Sequence, residues 1–93
     1  PFMATAETDL TSLPNIGKTL AELLVQAGIE TAAQLKAVGS EKAFIRISAI
    51  DSEACLSKLC ALEGAIQGIR WHQLSPDKKR ELKEFFAHVK SQL

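Results

Sequence analysis

The residues best suited to chemistry form one short run, Asn15-Ile16-Gly17-Lys18-Thr19, which follows Leu13-Pro14 and opens an apolar helical pattern. A turn placed directly before a helix leaves the first backbone N–H groups of that helix without partners. Those donors, the positive end of the helix dipole and the Lys18 ammonium together suit an anion, a phosphate above all. Ile16 is expected to point inward and anchor the turn. Asn15 tolerates a positive φ, although its side chain would crowd an incoming phosphate. Gly17 is expected to hold a turn geometry closed to β-branched residues, so that valine there costs about 1–3 kcal/mol. The plainer reading of the same run is a hairpin that packs two helices.

Other candidates are spread along the chain. Trp71, in Arg70-Trp71-His72, is expected to close the core, with a stacking platform or partner anchor as the alternative. With Leu82 at zero on the last helix, Lys79, Lys83 and Lys90 fall at about 60°, 100° and 80°. Asp77, Glu81 and Glu84 fall at about 220°, 260° and 200°, so a basic and an acidic flank border the apolar stripe. The basic flank is a solvated face or a docking surface for an acidic partner or a phosphate backbone. Glu63, beside inward positions, needs a partner, and Arg46, Lys58 or Arg70 could supply it. Gly64 and Gly68 suggest the close approach of another helix.

Catalytic and metal chemistry lack parts. His72 and Ser75 do not pair as base and nucleophile, because Ser75 before Pro76 reads as a helix cap. Cys55 and Cys60 read as one helical pattern, about 500° and roughly 7.5 Å apart, which does not suit a disulfide. Reduced thiols and a cytoplasmic location follow. With only His72 and His88 to join them, and no CxxC or HxxxH spacing, no metal site is expected. Neither a cofactor nor a small-molecule substrate is expected.

Eleven Lys+Arg balance eleven Asp+Glu across 93 residues. Zero net charge argues against a dedicated non-specific nucleic-acid binder, whose affinity rests on excess cations. No apolar run is long enough to span a bilayer and no membrane partner is expected. No secretory signal opens the chain. Pro1-Phe2 read as added residues ahead of a native Met3, leaving residues 4–93 as a single domain.

Period-3.6 patterning throughout predicts an all-α domain of five or six short helices, with a hairpin-like N-terminal half. A short helix falls within Ala4 to Leu13, stopped by Pro14. Lys18 to Ala27 stripes Leu20, Leu23, Leu24 and Ala27 on one face and ends at Gly28. Val25 projects away from that stripe, leaving self-association open. Thr31 caps a helix carrying Leu35 and Val38 that stops at Gly39. Ser40 is expected to cap the next, with Phe44, Ile47 and Ile50 facing in. Asp51 or Ser52 should open the longest helix, reaching about Gly68 and turning Cys55, Leu59, Leu62, Ile66 and Ile69 inward. Ser75-Pro76 opens the last helix, which buries Leu82, Phe85, Phe86 and Val89.

The turn resembles the helix-hairpin-helix motif, whose DNA-binding versions read Gly-apolar-Gly where this chain has Asn15-Ile16-Gly17. The whole chain resembles the C-terminal domain of the TfoX/Sxy proteins. The shared residues are Leu13-Pro14-Asn15-Ile16-Gly17, Ala27-Gly28-Ile29 with Thr31 and Leu35, and Gly39 before Ala43-Phe44. They continue with Leu59, Ala61-Leu62-Glu63-Gly64-Ala65, Gly68, Trp71 and Leu74, so the resemblance covers about residues 12 to 86. It implies a bacterial regulator of competence and DNA transformation, without known catalytic residues. The larger members carry an N-terminal domain for which this chain has no space, so their functions need not transfer. The expected function is a non-enzymatic regulatory adaptor acting through protein contacts or self-association. The alternative is a nucleic-acid module gripping phosphate with Asn15 to Thr19.

Overall fold

Proline and glycine cut the chain into short helices whose ends are set by local capping. The computed structural model describes residues 6–52 and 54–92. The boundary expected after Met3 lies outside the described residues. Among these residues there is no strand, and the helices are α1 (Ala6–Thr11), α2 (Lys18–Gln26), α3 (Ala32–Val38), α4 (Ser40–Ile50), α5 (Leu56–Gln67) and α6 (Pro76–Ser91). A 3-10 turn, Trp71–Gln73, separates α5 from α6. The all-α expectation holds.

Several ends follow from the residue types alone. Gly28, at φ 87°, closes α2 in the left-handed region. The Ile29 N–H returns to the Leu24 carbonyl at 2.8 Å and the Gly28 N–H to Val25 at 3.0 Å, satisfying carbonyls a helix end otherwise orphans. Thr31 Oγ1 accepts the Gln34 N–H at 3.0 Å, and Asp9 reaches across from α1 to accept the Ala32 N–H at 2.7 Å. Ser75 Oγ accepts the Lys78 N–H at 3.1 Å, with Pro76 in the first turn.

Helix α5 is the hub, packed by α3, α4, α6 and the 3-10 turn, while α4 also touches α2, α3 and α6. Its inward face carries Leu59 and Leu62, fully buried, against Phe44 and Ile47 of α4 and Leu82 of α6. The N-terminal half adds Leu10, Leu24, Ile29 and Leu35 to the same core. The Phe44 and Phe86 rings meet at 5.8 Å and 58°, a tilted geometry that aromatic pairs favour. The radius of gyration, 12.8 Å, is that of a well-packed domain of this length.

Several expectations are corrected. Ser40 does not cap α4 but is its first residue, buried, with Gly39 at the cap and Ser40 Oγ donating to Glu63 Oε1 at 2.6 Å. Among the described residues Glu63 pairs with no arginine or lysine, and its second oxygen accepts from Gln67 at 2.6 Å. Ile50 is 45% exposed, because α4 ends there and Asp51 turns the chain extended. Helix α5 starts at Leu56, not at Asp51 or Ser52, and its 12 residues are fewer than the 16 of α6. Cys55 is accordingly its exposed extended cap residue, while Cys60 is buried within it. Val25 packs partly buried against the core, and Phe85, Phe86 and Val89 are likewise only partly buried, Leu82 alone of its stripe being sealed.

Candidate binding cleft

The Asn15 to Thr19 turn does join two helices, and it does so with its constraint at a different residue. Gly17 is extended, φ −90° and ψ −179°, a conformation open to any residue, and nothing lies within 4 Å of where its Cβ would sit. The strain expected at Gly17 is absent. The left-handed residue is Asn15, at φ 70°. Ile16 is buried as an anchor, at 5% exposure.

Asn15 also holds the far end of the domain. Its Nδ2 donates to the Ile69 carbonyl at 2.9 Å, and its Oδ1 accepts the Trp71 N–H at 3.2 Å. The amide is thus tied to the corner after α5 and forms part of a wall rather than an obstruction. Gly64 makes room for this clasp. A Cβ there would stand 2.6 Å from Asn15 Nδ2, 2.8 Å from the Ile69 carbonyl oxygen and 3.2 Å from Trp71 Cα. The Gly64 and Gly68 pair therefore serves no helix crossing: Gly64 admits the turn, and Gly68, at φ 76°, ends α5.

Fastening the turn to the corner creates an open cleft of about 420 Å³. One side is the start of α2, with Lys18, Thr19 and Leu20. The other is the first turns of α5, with Ser57, Lys58 and Ala61, and Trp71 stands at the corner. Trp71 does not close the core. It is 37% exposed, and its ring stacks on His72 at 4.1 Å and 27°. Among the described residues, the charged side chains on the cleft walls are Lys18 and Lys58. Lys58 pairs with Asp51 at 2.8 Å, whereas no carboxylate pairs with the exposed Lys18 among the described residues. Neither N-cap residue, Gly17 of α2 or Cys55 of α5, accepts from its helix with a side chain, so the first N–H groups gain no acceptor from the cap.

Of the residues singled out in the sequence, Asn15, Gly17, Lys18, Thr19 and Trp71 come together here, with Ile16 behind them. The basic flank of α6 does not line the cleft. Lys79 Nζ donates to the His72 carbonyl at 3.0 Å, Lys90 Nζ lies 5.5 Å from the centre of the Phe86 ring, and Lys83 stays exposed. Ser57 and Lys58 were not singled out as site residues; placing the start of α5 at Leu56 would have put both in its first turn. Burial raises the Cys60 thiol pKa, partly opposed by the Lys79 charge. Among the described residues no cluster of ligating side chains could hold a metal, and no helix is long and apolar enough to cross a membrane.

The profile of the TfoX C-terminal domain matches residues 6–86. A crystal structure of an uncharacterized protein from Listeria monocytogenes, in a triclinic form, is 53% identical, with a TM-score of 0.87 and 94% of each chain covered. A tetragonal-form structure of a Listeria monocytogenes protein of unknown function is 56% identical, with a TM-score of 0.84, covering 86% of this chain and 98% of that one. No curated protein matches the chain. With nearly nine-tenths of its length spanned by one family profile and its fold shared with solved structures more than half identical to it, the chain belongs to the TfoX C-terminal domain family.

Proposed function

We propose that this domain is a non-enzymatic adaptor of bacterial competence or transcription control that works in the cytoplasm by holding a partner protein. The observation that carries this reading is Trp71, 37% exposed at the corner of an open cleft. Tryptophan is the side chain most often found to dominate protein interfaces, where its large ring fills a partner's pocket or walls one of its own. A role without catalysis is supported by the uses already made of the candidate groups. Ser75 caps α6 and His72 stacks on Trp71.

A second reading has its own support. The start of α2 lacks a side-chain cap and exposes Lys18 and Thr19, which suits a nucleic-acid phosphate at the Asn15 to Thr19 hairpin. Zero net charge, and a cleft lining that does not include Lys79, Lys83 or Lys90, weigh against it. Titration with duplex and single-stranded DNA at low and moderate salt, beside affinity capture from a bacterial lysate, separates the two. The adaptor reading expects a captured protein that is lost with Trp71→Ala, and no DNA complex even at low salt. A DNA complex abolished by Lys18→Glu, with log K falling against log salt at a slope of about −2 to −4, would replace it with the nucleic-acid reading.

A further inference from the structure

We propose that the cleft takes an acidic segment of the partner, one apolar or aromatic side chain seated between Leu20, Ala61 and Trp71 and its neighbouring carboxylates facing Lys18 and Lys58. This rests on the adaptor reading and names the chemistry of what the adaptor holds. The cleft has the volume of a small ligand pocket, about 420 Å³, enough for an anchoring side chain and its flanks. Its floor is apolar: Leu20 and Ala61 retain 7% and 9% exposure, so a side chain entering there displaces water from carbon surface. Among the described residues that line it, the charged side chains are Lys18 and Lys58, with Asp51 bridging the second from behind the lining.

Those lysines suit an isolated acidic residue or two better than a polyanion. Lys58 is already half matched by Asp51 at 2.8 Å, which orients its ammonium and leaves Lys18 as the open charge. Two cations, one shared, hold few phosphates, and a nucleic acid gains affinity with each phosphate neutralised. A second copy of this chain is a poor occupant. Asp77 and Glu81, on its acidic flank, are already bridged to Arg80 at 2.9 Å and Lys78 at 3.3 Å.

Selection of a random twelve-residue peptide library on the immobilised domain tests the assignment, followed by fluorescence anisotropy of the recovered peptide. Lys83→Glu makes the same charge change away from the cleft and is the control, and thermal melts establish that each variant is folded. The expected peptides carry Asp or Glu beside Phe, Trp or Leu. Their binding should weaken about tenfold or more with Trp71→Ala and with Lys18→Glu, and less than about twofold with Lys83→Glu. Peptides lost with Trp71→Ala but indifferent to Lys18→Glu would overturn the acidic assignment and leave the adaptor reading standing. No enriched sequence, equal losses with Lys83→Glu, tighter binding of a twelve-nucleotide single strand, or a self-associating domain that excludes the peptide would each overturn it as well.

Discussion

Asn15 carries three burdens that are usually divided among residues: a left-handed backbone, a donor to Ile69 and an acceptor for Trp71. Asn15→Ala should lose both bonds and add steric strain at φ 70°, at a cost of about 2–4 kcal/mol. Asn15→Gly loses the same bonds without the strain and should cost about 1–2 kcal/mol. Urea titrations of the two variants check the ordering, and equal losses would remove the backbone from the account. Gly64→Ala replaces a poor helix former by the best, a gain of about 1 kcal/mol. The added methyl nevertheless meets the Ile69 carbonyl oxygen at 2.8 Å, so the variant should lose about 1–3 kcal/mol net in the same assay. The tolerance of asparagine for positive φ was legible in the sequence because it is a property of one residue. The destination of its amide, 54 and 56 residues away, was not, since periodicity and capping patterns carry only local information.

The elements divide along the same line. Gly28, Thr31 and Ser75-Pro76 were readable as helix ends because capping joins groups only a few residues apart. Asp51 was misread as a starter because aspartate is equally good at capping a helix and at pairing with a lysine. Here it ends α4, its N–H on the Ile47 carbonyl at 2.8 Å, and its carboxylate meets Lys58. The helix expected from Asp51 or Ser52 thereby opens at Leu56 instead, and Ser57 and Lys58 move into the first turn of α5 at the cleft. Ser40 was misread for a related reason: a serine after glycine suggests a cap, yet its hydroxyl crosses to Glu63 and ties α4 to α5. Ser40→Ala should cost about 1–2 kcal/mol. A double-mutant cycle with Glu63→Gln should show coupling between the two positions, which a simple cap would not produce.

At the scale of the molecule, burial of Cys60 links stability to alkaline pH. The folded state raises the thiol pKa, so it holds the thiol proton more tightly than the unfolded chain does. The contribution is complete below the pKa of the unfolded thiol, about 8.5, and is lost as pH rises from there through the folded value. The urea midpoint of the reduced protein should therefore fall over that range, and the fall should be smaller in Cys60→Ala. The Asn15 clasp also sets the order of events when the chain folds. Bringing position 15 to positions 69 and 71 closes a loop of more than half the chain, whereas α2 and its Gly28 ending need only neighbours, and loop-closure entropy favours the short contacts first. The clasp then belongs to the native side of the barrier. Asn15→Ala should speed unfolding while leaving the refolding rate nearly untouched. A single side chain would govern how long the domain stays folded rather than how quickly it forms.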